Sequence, residues 1–173
     1  MRALGVAALL LVLTAAGGSR AASTSSAFQV RLERTACFGT CPIYSVTVRA
    51  DGRVVFVGKR FVAATGVRRA RLSKAKVSEL RKAFSRARVF RLRDRYDDMT
   101  VSDLPSALLT VRLGERTKHV YHYLGDSTAP KRLGRLECLV DRIARTSRWI
   151  GRPDSVPCER ASGSAASRRG GRA

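Results

Sequence analysis

The chain is 173 residues long, 45% apolar, and carries 34 Lys and Arg against 13 Asp and Glu, a formal charge of +21. Apart from one N-terminal apolar run, no stretch approaches spanning length and no internal repeat appears, which excludes a polytopic membrane protein and a repeat array. What remains is a single domain of about 150 residues, long enough for its own core.

The N-terminus reads as an export signal. Arg2 is a short positive region, Ala3 to Leu13 is apolar, and Ser19-Arg20-Ala21 places small residues at a cleavage site after Ala21. The apolar run stops at Ala16, short of the roughly 20 residues that cross a bilayer. No cysteine follows closely enough for a lipid anchor. The mature chain is expected to begin near Ala22, outside the cytoplasm (periplasmic or extracellular), with no transmembrane anchor. Removing residues 1–21 takes Arg2 and Arg20, so the charge falls from +21 to +19. Residues 22–27 form a small, polar leader, residues 28–150 the domain, and residues 151–173 a basic, mostly disordered tail, with the disorder expected after Cys158.

Phe28 to Arg34 alternates apolar and polar residues, the signature of a half-buried strand. Ile43 to Arg49 alternates again, and Asp51-Gly52 then signals a hairpin whose two central residues take positive φ. Arg53 to Val57 is the returning strand. Phe61-Val62 and Val67 to Leu72 add one or two strands around a turn at Thr65-Gly66. Ser73 caps a helix with Val77, Leu80, Phe84 and Ala87 at helical spacing. Arg88 to Pro105 is irregular. Ser106 to Leu113 and Lys118 to Leu124 pair across Gly114-Glu115. Pro130 opens a last helix with a stripe of Leu133, Leu136, Val140 and Ile143. The expected fold is α+β: a mainly antiparallel sheet with two amphipathic helices packed on one face.

An exported domain with four cysteines is read first as a disulfide framework. At about 100° per residue Cys138 falls away from the apolar stripe of the last helix, and a solvent-facing cysteine there needs a partner. From Ser147 the chain has the length to return Cys158 to that outer face. Cys37 and Cys41 then pair if Phe38-Gly39-Thr40 turns tightly, for which Gly39 is permissive. A redox role is disfavoured, because Cys37 and Cys41 are separated by three residues and followed by Pro42 and a strand rather than a helix N-terminus. Zinc is disfavoured because no second close-spaced ligand pair exists, and His119 and His122 point to opposite faces of their strand.

Asp94, Asp97, Asp98 and Asp103 lack the spacing of a calcium loop, and capping or pairing with Arg93 and Arg95 accounts for them better. Tyr121 and Tyr123 share a strand face with His119 and read as a half-buried aromatic face. Neither a Gly-x-Ser-x-Gly elbow nor a phosphate loop is present. No catalytic residue, cofactor site or metal site is expected. The charge favours anionic partners, an envelope polymer among them. Arginine nonetheless dominates lysine in a chain rich in Ala, Leu, Val and Gly, as a GC-rich genome imposes. The basic residues are spread along the chain without stacking aromatics, so no specific nucleic-acid site is expected.

The stretch Glu33-Arg34-Thr35-Ala36-Cys37-Phe38-Gly39-Thr40-Cys41-Pro42-Ile43-Tyr44 resembles the opening motif of a bacterial exported family catalogued as domain of unknown function 6438. Asp51-Gly52, Lys59-Arg60-Phe61, Ser102-Asp103-Leu104-Pro105 and a closing helix ending at Trp149 extend the resemblance over Phe28 to Ile150. It implies that Cys37 and Cys41 belong to the motif while Cys138 and Cys158 are additions, which agrees with pairing each within its own half. It implies no activity. The expected function is a non-enzymatic, exported binding or structural module of the cell envelope. A thiol-redox or metal-dependent enzyme using Cys37 and Cys41 is the second class, and a polyanion-binding protein the third.

Overall fold

Alternating burial fixes the sheet. In the computed structural model, which describes residues 27–98, 102–151 and 158, strand β1 (Phe28–Arg34) buries every second residue. Strands β2 (Ile43–Arg49), β3 (Arg53–Arg60), β4 (Gly66–Arg71), β5 (Arg95–Tyr96), β6 (Ser106–Leu113) and β7 (Arg116–Tyr123) join it in one seven-stranded sheet of order β4-β3-β2-β1-β6-β7-β5. All pairs are antiparallel except β5 with β7. Helices α1 (Lys74–Arg86), α2 (Lys131–Ala144) and α3 (Ser147–Ile150) complete a mixed α+β fold. The expected signal and the leader up to residue 26 lie outside the described residues, as does all of the expected tail except Gly151 and Cys158. Among the described residues no helix is long and apolar enough to cross a membrane.

Val30, Leu32, Val46, Val48, Phe56, Leu109 and Val111 from one sheet face share a core cluster with Val77, Leu80 and Phe84 of α1 and Leu133, Leu136, Val140 and Ile143 of α2. The Phe56 ring stacks on Tyr44 at 5.3 Å and meets Trp149 at 5.0 Å. Each such large apolar side chain contributes about 1.5–3 kcal/mol on burial.

Several local expectations change. The β2–β3 hairpin forms, but through a three-residue loop, Ala50-Asp51-Gly52: Gly52 N–H donates to Arg49 O, and only Gly52 takes positive φ. This is a turn closed by a left-handed glycine, which suits three-residue hairpins. Phe61-Val62 bends instead of extending, because Ala63 and Ala64 donate to Ile150 and Trp149 carbonyls rather than to a strand. The stretch expected to be irregular holds a 3-10 turn at Val89–Arg91 and the two residues of β5. Ser73 caps α1 as expected, its Oγ accepting from Lys76 N–H at 3.3 Å. The last helix divides at Arg145, whose left-handed backbone ends α2 before α3 begins.

Gly58 is where β3 meets the chain that follows it. A Cβ there would lie 2.1 Å from the Ala64 carbonyl oxygen and 2.8 Å from Val62 Cγ2. Backbone cannot yield as a side-chain tip can, so Gly58→Ala is expected to cost about 3 kcal/mol. Gly114→Ala, at positive φ but in open space, should cost about 1 kcal/mol. Urea unfolding midpoints compare the two, and equal losses would contradict the close approach at Gly58.

Candidate functional site

Register collects polar groups at one level of the buried sheet face. Gly58 pairs with Tyr44, Tyr44 with Arg34, Arg34 with Ala107, Ala107 with His122, and His122 with Tyr96. Arg34, Tyr44 and His122 thus stand in one row among apolar neighbours. Above them α2 presents Glu137 and Asp141, one turn apart on its inner face.

The contacts are dense. Arg34 Nη1 donates to Glu137 Oε2 at 3.0 Å and Nη2 to Asp141 Oδ2 at 3.1 Å. Tyr44 O–H donates to Asp141 Oδ1 at 2.7 Å, and Thr146 O–H reaches the same oxygen at 3.1 Å. His122 Nδ1 lies 2.7 Å from Glu137 Oε1. Arg34, Glu137 and Asp141 are 3%, 1% and 4% exposed, so water does not screen them. Burial alone would lower the Arg34 pKa, but the charges of Asp141 and Glu137 outweigh it and hold the guanidinium above its ordinary value. Burial, then the Asp141 charge, pushes the Tyr44 phenol well above its ordinary value.

Every carboxylate oxygen of Glu137 and Asp141 is engaged from within the protein. Both carboxylates are buried and tie β1 to α2 through Arg34. Glu137 and Asp141 were missed in the sequence. Their signal was there: two carboxylates at i and i+4 inside the apolar stripe of a helix in an otherwise basic chain.

The motif divides between this cluster and the end of the sheet. Cys37 and Cys41 lie at disulfide distance and close the β1–β2 loop. Phe38 N–H donates to Asp103 O at 3.1 Å, and Gly39 N–H to Cys37 O at 3.0 Å. Thr35 Oγ1 accepts from Ser106 N–H at 2.8 Å, Leu104 N–H donates to the Tyr123 hydroxyl, and Leu124 N–H to Pro105 O. Gly39 and Asp103 both take positive φ, and Pro42 is buried at the loop's exit. Phe38 is 89% exposed, and Thr40 beside it is also exposed. Glu33 lies on the other sheet face, where a hydrogen bond from Arg31 lowers its pKa.

Cys138 and Cys158 also lie at disulfide distance, but not on the helix exterior as expected. Cys138 is half-buried, next in sequence to the inward Glu137. Cys158 packs on the core, its Sγ 3.6 Å from Arg34 Nη2 and 3.8 Å from Asp141 Oδ2. The angular estimate misplaced the pair because the helix's inner face includes Glu137 and Asp141 and is wider than its apolar stripe.

Asp97 pairs with Arg95 as the sequence implied, whereas Asp94 pairs with Lys118 across the sheet rather than with a neighbouring arginine. Asp126 accepts from Asp98 N–H, and Arg93 reaches Thr128. His119, on the face opposite His122, meets Thr110 Oγ1 at 3.0 Å. Among the described residues no three His, Cys, Asp or Glu gather as a metal site.

The family model described as Domain of unknown function (DUF6438) matches residues 28–144. No curated protein matches the chain.

The Tyr44 phenol supplies a pH test. Its folded pKa stands above the unfolded value of about 10, so the unfolded chain gives up this proton first. The stability it contributes is complete below pH 10 and is lost as pH rises beyond it. Thermal midpoints should fall above about pH 10, and less steeply in Tyr44→Phe. The 295 nm difference between wild type and Tyr44→Phe should develop only as the fold is lost. Ordinary ionisation of Tyr44 in a folded protein would contradict the buried phenol–carboxylate bond.

Proposed function

The chain belongs to the DUF6438 family, and from that premise we propose that it is an exported, non-enzymatic binding module of the cell envelope whose contact element is the Cys37–Cys41 loop. The observation that carries this reading is Phe38, 89% exposed at the tip of a loop held by a paired cysteine bridge and by the Asp103 carbonyl. A large apolar side chain held out to water does nothing for the fold. Buried against a partner, it would contribute about 1.5–3 kcal/mol without the cost of ordering a mobile loop.

The compartment rests on the N-terminal pattern at residues 1–21 and on two cysteine pairs suited to an oxidising environment. We take α1 and α2 to cover the same face of the sheet, since the buried residues of both join one core with it, leaving the other face for contact. A structural role for Cys37 and Cys41 is supported by their setting between β1 and β2, with Pro42 and a strand where a thiol oxidoreductase has a helix N-terminus.

The test is retention of the mature protein on washed envelopes from its own cells. Phe38→Ala should weaken retention about tenfold or more and change stability by no more than about 0.5 kcal/mol. Unchanged retention would remove Phe38 from the contact. In the same preparation the oxidised protein should not catalyse insulin reduction; turnover that disappears in Cys37→Ser would replace the binding reading with a thiol-redox one.

A further inference from the structure

The sheet face opposite the core carries a row of arginines that no single segment reveals. Arg49 follows the buried Val48, Arg53 precedes Val54, Arg71 follows the inward Ala70, and Arg112 follows Val111, so all four point away from the core, and all are exposed. Register aligns them: Arg71 pairs with Arg53, Arg53 and Arg49 flank the hairpin loop, and Gln29 pairs with both Arg49 and Arg112. Four guanidinium groups from β4, β3, β2 and β6 thus stand at one level, with Gln29 of β1 between the last two. Adjacent strands lie about 4.8 Å apart, so the row runs about 19 Å across the sheet.

Three observations set this row apart from a diffuse basic surface. First, Arg53 and Arg71 are direct cross-strand partners, and like charges in that position weaken a sheet. Genome composition accounts for how many arginines a chain has, not for like charges in register. Second, charges guarding an edge strand would explain Arg71 but not Arg49 and Arg112, which lie on interior strands. Third, a depression of about 230 Å³ lies between Arg49 and Arg112 with Gln29 among its lining residues. Two acids lie at this end: Glu115, exposed in the β6–β7 turn, and Asp51, which also lines the depression and is engaged by the backbone N–H and side chain of Arg53, with the Arg71 charge acting on it.

We propose that this row binds an extended polymer of phosphate groups, lying across the strands, with one phosphate region per guanidinium and a seat between Arg49 and Arg112. Guanidinium forks suit phosphate oxygens. The row itself holds Gln29 and Thr117 but no aromatic ring, so stacked bases have no platform there, and the polymer is a polyol phosphate rather than a single-stranded nucleic acid. The site stands apart from the Phe38 loop, and the two readings fail separately: Phe38→Ala should leave this binding unchanged.

The test uses the mature protein and a poly(glycerol phosphate) chain long enough to cross the face, with affinity measured over a series of salt concentrations. Four contacts predict a log–log salt slope of about −3, at 0.7–0.9 per contact. Arg49→Ala/Arg112→Ala should reduce that slope by about half and weaken binding at physiological salt at least tenfold. Arg71→Glu on the exposed edge strand provides an independent variant and should weaken binding likewise. Lys82→Ala/Arg86→Ala, exposed on α1, removes the same charge from elsewhere and should leave the slope unchanged. Equal losses from the row and α1 variants would overturn the proposal in favour of attraction by total charge. So would absence of saturable binding by the wild type at physiological salt, or tighter binding of oligo(dT) with the same number of phosphates.

Discussion

A guanidinium buried at the end of the central strand sets the terms for the rest of this structure. Arg34 closes β1, which has three strands on either side of it. A charge removed from water is tolerated only where opposite charge and hydrogen bonds replace the solvent. Glu137 and Asp141 supply that charge from α2, and each carboxylate is completed by a further sheet residue, His122 for one and Tyr44 for the other. The ion pairs give the helix one seat, and the Cys138–Cys158 pair lies against the same cluster.

This arrangement separates the two halves of the Glu33–Tyr44 motif. Arg34 and Tyr44 face inward as neighbours across β1 and β2, joined to each other through Asp141. Between them in sequence, the chain leaves the sheet, bonds to the Asp103 carbonyl, and carries Phe38 into solvent before Pro42 returns it to the interior. Inward charge and outward ring thus belong to one short segment, whose ends are fastened in the core while its tip is exposed.

Much of the fold was legible because it is written in local pattern. Period-two alternation located the long strands, and Ser73 with Val77, Leu80 and Phe84 located α1. The hairpin at Asp51-Gly52 was legible but its turn was not, since Ala50 joins the loop for a backbone reason that carries no marker. Phe61-Val62 looked like a strand because apolar residues also suit a bend packed against α3. The features tied to register were least visible. Glu137 and Asp141 make sense only once Arg34 lies beneath them. The arginine row draws on residues 49, 53, 71 and 112, which are scattered in sequence and aligned only by strand pairing. Composition gave a diffuse charge where the sheet gives a line.

The central claim, that Arg34 and the α2 carboxylates act as one unit, is tested most directly by a double-mutant cycle in urea. Arg34→Met alone should destabilise the domain by about 3–5 kcal/mol, because it leaves two buried carboxylates without their cation. Asp141→Asn alone should also destabilise it. If the groups are coupled, the double variant should be more stable than the sum of the single losses implies, by about 1 kcal/mol or more. Losses that add within about 0.5 kcal/mol would contradict the account: Arg34 and Asp141 would then be independent, and the apolar stripe alone would seat α2.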